Sequence, residues 1–255
     1  MPTVIDQAVC IRQWDWSETS QTVSVFARGH GIIRGVAKGS KREGSKFSGG
    51  LEVLTRGEVV ANVKAAEGLA LLTAWDLQET FPAARATLSA FYAGMCMLDL
   101  VHHAVRDSDP HEGLFDGLVA CLRRLGEARE DRAATLAFLW GVLDETGHRP
   151  ELDRDVRGGG VLAEAASYGF VPRLGGVTVD DRRGDGADGP VLRVRAETVA
   201  LLRAVAAASD GDVAAGELEA EAADAAVGRA LRLLAVYFRE VFAADPPSLR
   251  AFAGG

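Results

Sequence analysis

The densest run of side chains able to do chemistry is Gly29 to Leu51, GHGIIRGVAKGSKREGSKFSGGL, where Arg34, Lys38, Lys41, Arg42 and Lys46 stand against one acid, Glu43. The chain as a whole carries a formal net charge of −8, so this local reversal of sign marks a surface for a polyanion. Phosphates are held by Arg as a two-pronged donor and by Lys as a compact point charge. Gly29, Gly31, Gly35, Gly39, Gly44, Gly49 and Gly50 leave the backbone free to turn between the cations. The bland alternative is a solvated, disordered hairpin tip. Bases of a single strand would need aromatic faces to stack on, and Trp14, Trp16, Phe26 and Phe47 are the candidates; core or turn packing explains each of them more simply.

Other groupings carry less. Asp99, His102 and His103 fall within one helical turn, with His111 beyond, and Asp99 and His103 at i, i+4 could share a face. A metal would need a second ligand pair, which is absent from the sequence, so polar helix surface is the simpler reading. Cys10, Cys96 and Cys121 sit in apolar contexts with no CxxC spacing and read as buried free thiols of a reducing compartment. Gly29 to Gly35 misses the dinucleotide spacing by one and runs into strand-like sequence; GSKREGSK, Gly39 to Lys46, puts Ser45 where a P-loop needs its Lys. Neither GxSxG nor HExxH occurs. None of these groupings points to a metal or cofactor, and an enzyme whose site is assembled from dispersed residues such as Asp99 and His103 stays as a rival reading.

The elements that must position the basic stretch can be read on either side of it. Val4 to Trp14 reads as a strand, and Gln21 to Arg28 alternates cleanly, with Val23 and Val25 on one face and Thr22, Ser24 and Phe26 on the other. Ile32, Ile33 and Val36 build the partner of a hairpin, and Leu51 to Lys64 gives further strand sequence with Gly57 as a bulge or turn. Gly68 to Leu77 fits a helix by propensity and a last strand by position. Five or so short strands in under eighty residues fit a small closed barrel. Beyond Pro82 the chain turns helical: Ala83 to Val105, Leu114 to Leu125, Arg132 to Leu143, and an amphipathic stretch marked by Leu231, Leu234, Phe238, Val241 and Phe242. Pro150 to Pro190 is irregular, and its DDRRGDGADGP end reads as mobile.

Length and composition bound the answer. A chain of 255 residues, 48% hydrophobic and 25% charged, holds one large or two ordinary globular domains. Residues 1–64 contain nine Lys or Arg and six Asp or Glu, a net +3, which leaves −11 for the rest. A basic front module on an acidic body suggests that the front meets a polyanion and the body meets proteins. MPTVIDQAVC lacks the basic and apolar runs of a signal peptide, and the uncharged stretches fall short of the ~18 residues a span needs, which predicts a cytoplasmic protein.

Several patches, in order along residues 4 to 200, resemble the RecO family of bacterial recombination mediators. Glu18-Thr19-Ser20 leads into VSVFARGHGIIRGVAKGSKR, similar to the family's strand, glycine turn and strand ending in a glycine-basic patch. GSKREGSKFSGGLEVL is similar to its pattern of glycine, small residue, two basic residues, Lys-Ser and a Leu. Leu114-Phe115 with Leu118 and Leu122, followed by AFLWGVLDETGHRPELDRD, is similar to a helix ending in a Gly-aromatic-x-Pro-x-Leu segment.

The resemblance implies an α+β, multi-domain protein: an N-terminal OB-fold β-barrel over residues 1–80, then an α-helical domain over 81–255 with a degenerate zinc-finger-like insertion at about 150–190. It implies a non-enzymatic DNA-repair protein, nucleoid-associated, that binds single- and double-stranded DNA, anneals strands and helps load the RecA recombinase. RecR and the acidic tail of single-strand-binding protein would be its partners. Lys41 and Arg42 match the family's basic positions; its Lys-Ser pair falls on Gly44-Ser45, with Lys46 as stand-in. The DNA-binding set is then Arg34, Lys38, Lys41, Arg42 and Lys46, and Arg123, Arg124 and Arg132 are assigned to the partner's tail. Many members carry two CxxC pairs, whose positions fall here on Asp155 and Gly158, and on Val179 and Arg182. Only Asp155 could ligate a metal, so the expectation is a metal-free fold. The rival reading is an OB-fold adaptor that contacts proteins and no nucleic acid.

Overall fold

The computed structural model describes residues 2–63, 68–126, 128–179, 185–186, 188–209 and 220–254. Most of the Asp180–Pro190 run expected to be mobile, and Arg182 with it, lies outside these described residues. The chain forms two compact units, Met1–Glu127 and Ala128–Gly255.

In the first unit, β1 (Thr3–Asp15), β2 (Gln21–Ala27), β3 (Gly31–Ala37), β4 (Thr55–Asn62) and β5 (Ala70–Glu79) close into a barrel in the order β1-β2-β3-β5-β4. This is the expected α+β class with an OB-like barrel leading. The alternation read in β2 holds: Val23, Val25 and Ala27 point into the barrel with Ala8, Cys10, Ile33, Ala37, Val59, Leu72 and Trp75. The ambiguous Gly68–Leu77 segment is strand, and it completes the barrel by pairing antiparallel to β4 and parallel to β3 through Gly35↔Ala70 to Ala37↔Leu72. Gly35 permits that closure, because a Cβ there would lie 2.3 Å from Leu72 Cδ1 and 2.7 Å from the Ala70 carbonyl oxygen. The β4 strand is shorter than Leu51 to Lys64, and Gly57 lies within the ladder, beside a register shift at Arg56.

A short 3-10 turn (Ala83–Arg85) precedes α1 (Leu88–Ala104) and α2 (Glu112–Arg124). The expected single helix from Ala83 is broken because Thr87 caps α1, its Oγ1 accepting from Ala90 N at 3.1 Å. The helices cover part of the barrel's outer wall, where Phe26 meets Phe115 with ring centroids 5.7 Å apart.

The second unit is built on α3 (Ala128–Glu145), α4 (Ala196–Ser209), α5 (Ala220–Phe242) and α6 (Pro247–Gly254). Leu139, Trp140 and Leu143 of α3, Leu202 of α4 and Leu231, Leu234 and Phe238 of α5 are fully buried. The stretch expected to be irregular is partly ordered: β6 (Ser167–Val171), β7 (Gly176–Thr178) and β10 (Leu192–Arg195) form a sheet in the order β10-β6-β7, with Phe170 against Tyr237 at 5.5 Å. A 3-10 turn (Pro172–Leu174) joins β6 to β7, and the two-residue β8 (Asp185–Gly186) pairs with β9 (Gly189–Pro190). Among the described residues no helix is long and apolar enough to cross a membrane.

Candidate nucleic-acid interface

The basic stretch is an ordered loop, because a buried amide ties it down. Gln21, 3% exposed, donates from Nε2 to the Leu51 carbonyl at 2.9 Å, and its Oε1 accepts from Leu51 N at 3.0 Å and Ser40 Oγ at 2.8 Å. Each end of the loop is thereby pinned to the start of β2. Ser45 Oγ donates to the Ser40 carbonyl at 2.9 Å, and Trp75 N donates to the Lys46 carbonyl at 2.8 Å. Phe47, 4% exposed, and Leu51 insert into the barrel interior as apolar anchors.

The loop is also joined to the β1–β2 turn. Gly39 N donates to Ser20 Oγ at 3.1 Å and Lys41 N to the Thr19 carbonyl at 3.1 Å. Trp14 near the end of β1 and Trp16 in that turn are 51% and 64% exposed. Of the four aromatic candidates, Phe26 and Phe47 are core, while the two tryptophans stay on the surface.

The five expected DNA-contacting cations divide by what they touch. Arg34 Nε donates to Asp107 Oδ1 at 2.9 Å, and Lys41 Nζ donates to Asp15 Oδ1 at 2.5 Å. Lys38, Arg42 and Lys46 are exposed and make no ion pair among the described residues. The Arg42 side chain lies over Gly39, where a Cβ would sit 3.5 Å from Arg42 Cδ. Three unengaged positive charges therefore sit on a rigid backbone next to two exposed indoles.

The partner-side arginines differ in what they touch. Arg123, at the end of α2, grips Glu79 with two bonds of 2.8 and 2.7 Å, and Arg56 donates to the same carboxylate at 3.1 Å. The bond from Arg123, with that from Arg56, holds the Glu79 carboxyl below the usual carboxylate range against the opposing effect of burial. Arg124 is exposed, and Arg132 belongs to the second unit, where it pairs with Asp224 at 3.5 Å.

Asp99 is buried in a salt bridge with Arg12. Burial first, then the Arg12 charge, lowers the His102 pKa to about 4; burial likewise lowers that of His103, so both rings are neutral at neutral pH. Burial also pushes the Cys10 thiol up to about 12 and the Cys121 thiol to about 11, which leaves neither as a thiolate nucleophile.

The degenerate metal-finger positions do not fit a metal. Asp155, 8% exposed, accepts at Oδ1 from Arg157 N at 2.8 Å and Gly158 N at 3.0 Å, and at Oδ2 from Val179 N at 3.1 Å and Thr178 Oγ1 at 3.2 Å. Both oxygens are filled by hydrogen-bond donors, and Gly158 and Val179 offer no ligating side chain. The carboxylate itself joins the 155–160 turn to the end of β7. The local sequence does not signal this role, because Thr178 and Val179 lie more than twenty residues further on.

A cavity of about 510 Å³ in the second unit is lined by Trp140, Arg149, Glu151, Asp153 and Arg203. Its charges are engaged internally: Arg203 pairs with Asp153 at 2.9 Å, Arg149 lies over the Trp140 ring at 5.8 Å, and Glu151 accepts from Asp153 N and Arg154 N.

Comparison with known proteins accounts for nearly the whole chain. Residues 1–81 match the family model described as "Recombination protein O N terminal" and residues 85–250 the one described as "Recombination protein O C terminal". The chain is similar to the "DNA repair protein RecO" of Cutibacterium acnes, 30% identical over 214 residues that cover 80% of this chain and 82% of that relative. It is 32% identical to the one from Variovorax paradoxus over 183 residues, 67% of each. With the relative from Rhodopirellula baltica it is 31% identical over 147 residues, and there it spans 54% of the relative's length.

Proposed function

The chain belongs to the RecO family of DNA repair proteins, and from that premise we propose that it is a non-enzymatic single-stranded-DNA-binding mediator. The observation that carries the reading is the ordered loop 38–50, which leaves Lys38, Arg42 and Lys46 unengaged in a chain of net charge −8. Cations fixed on a rigid backbone neutralise successive phosphates without first having to be ordered, and the indoles beside them suit unstacked bases. In this reading Arg34 and Lys41 contribute after exchanging Asp107 and Asp15 for phosphate.

The finer activities follow the family: annealing of complementary strands, binding of duplex DNA, and assistance to RecA loading with RecR and the tail of single-strand-binding protein as partners, in the cytoplasm at the nucleoid. The functional division falls near residue 80, between the barrel as DNA module (1–80) and the helical region (81–255) as partner module; the family models meet between residues 81 and 85 in keeping with it. Arg124, exposed at the end of α2, is the first candidate to receive a partner carboxylate, with Arg123 and Arg132 available only by giving up Glu79 and Asp224. In this reading the chain has no turnover, in line with the family premise and with the internal pairing of the charges lining the cavity of about 510 Å³.

The test is a salt titration. Replacing Lys38, Arg42 and Lys46 together with Ala lowers single-strand affinity uniformly across sequences and reduces the salt slope by about 0.7 per lost contact, roughly 2 in all. Melting is nearly unchanged, because exposed charges contribute little to folding. A folded triple variant with the affinity and slope of the parent chain would leave the adaptor reading standing instead.

A further inference from the structure

The outer face of β1, β2 and β3 changes character row by row, and the cross-strand registers define the rows. With Val23, Val25, Ile33 and Ala37 inside the barrel, Thr22, Ser24, Phe26, Ile32, Arg34 and Val36 face outward. The first row, Phe26 opposite Ile32, is buried, and Phe115 of α2 covers it. In the second, Arg12–Ser24–Arg34, both arginines are paired with acids, Asp99 on α1 and Asp107 after it. The third, Trp14–Thr22–Val36, is more open: Trp14 is 51% exposed and Thr22 and Val36 are half-buried.

We propose that this third row, with Trp16 at its rim, is a base-stacking platform that makes the barrel selective for single-stranded over duplex DNA. The proposal rests on the DNA-binding reading and adds the part of the ligand that the cations cannot sense. An exposed indole in register with Thr22 and, across β2, Val36 offers a π-face wide enough for a base. Lys38, the first residue after β3, is exposed and makes no ion pair among the described residues, and the turn bearing Trp16 is hydrogen-bonded to the loop bearing Arg42 and Lys46. Aromatic face and positive rim are thus contiguous, which fits a base with its own phosphate and no purely apolar partner. In a duplex the base faces are stacked on one another and unavailable, so the platform acts only on single strands.

Of the four tryptophans, Trp75 and Trp140 are buried, so quenching of the intrinsic fluorescence on addition of a thymidine oligonucleotide reports on Trp14 and Trp16. We expect that quench, a loss of single-strand affinity of about fivefold or more in W14A/W16A with the salt slope unchanged, and recovery of most of the affinity in W14F/W16F. Duplex affinity stays the same in both variants. The unaltered chain should also bind an abasic oligonucleotide of the same length at least about fivefold more weakly, a comparison that needs no variant to fold. Equal affinity for abasic and base-bearing strands, or no quench on binding, overturns the platform while leaving the cationic loop as the DNA site. Failure of the unaltered chain to bind single strands at all overturns the functional reading and the platform with it.

Discussion

The loop at 38–51 and the turn at 155–160 solve the same problem with opposite chemistry. Both are glycine-rich, both lack regular structure, and both are held to a strand by one buried polar side chain. The loop uses Gln21, a neutral amide, and keeps its formal charges, Lys38, Arg42 and Lys46, outward and unengaged. The turn uses Asp155, an anion whose charge is turned inward onto three backbone N–H groups and the Thr178 hydroxyl. A charge satisfied inside the fold stabilises the fold; a charge left on a rigid surface is available to a ligand. That difference separates a structural feature from a candidate site, although in sequence both are polar runs between glycines.

The largest expected effect lies on the structural side of the comparison. Asp155→Ala leaves three N–H donors and a hydroxyl without their acceptor and should destabilise the second unit by about 3 kcal/mol, read as a lowered denaturant midpoint. Burial alone would raise the Asp155 pKa, but its hydrogen-bond donors outweigh burial and the net shift is downward. The folded state therefore binds the proton less readily than the unfolded chain. The clasp is fully effective above the unfolded value of about 3.9 and is lost as pH falls through the lower folded one. Acid unfolding monitored by fluorescence should show that step in the parent chain, and D155N should lack it. Chelators should leave the melting temperature of the parent unchanged, because the donor set stores no folding energy in a metal; about one zinc per purified chain would contradict this.

How much of this could be read in advance depended on whether a residue's neighbours are local. The β2–β3 hairpin was legible because one face is buried and the side-chain period is two. Gly68 to Leu77 was not, since a short apolar run has no period, and only pairing with β3 and β4 makes it a strand. The Pro150–Pro190 region looked irregular because β7 is three residues long and its order comes from Asp155, more than twenty residues before Val179. The Ala-rich α4 offered no clear apolar stripe to read. Within the site, the run of cations was plain, but residue type could not tell Phe47, which enters the barrel, from Trp14, which stays outside. Nor could it show that Arg34 and Lys41 meet Asp107 and Asp15, acids far away in sequence.

A smaller effect links the two sides. Gln21→Ala removes the amide that pins the loop and leaves Leu51 N and its carbonyl unpaired in a buried setting, which should destabilise the barrel by about 2 kcal/mol. The variant should be cleaved faster within 38–50 in limited proteolysis, and its DNA affinity should fall although no cation has been touched. A Gln21→Ala chain with the parent's affinity would show that loop order is irrelevant to binding, and the contrast drawn with Asp155 would lose its functional half. Gln21→Glu is a sharper version, since a carboxylate can accept from Leu51 N and Ser40 Oγ but cannot donate to the Leu51 carbonyl.

The smallest effect has the opposite sign. Lys41 stands between the two classes, a loop cation whose charge is taken by Asp15 through an exposed pair. Such pairs contribute about 0–1 kcal/mol, so Asp15→Asn should leave melting almost unaltered. It should nonetheless release Lys41 to a phosphate and remove an anion from the path of the strand. Single-strand affinity should therefore rise severalfold at low salt, and the salt slope should steepen by about 0.7, the mark of one added phosphate contact. At high salt the gain should vanish, because the added term is counterion release. Combining D15N with Lys41→Ala should abolish the steepening if the gain passes through Lys41. A gain that survives in the double variant would come from removal of the negative charge alone, and Lys41 would then belong with the structural charges rather than with Lys38, Arg42 and Lys46.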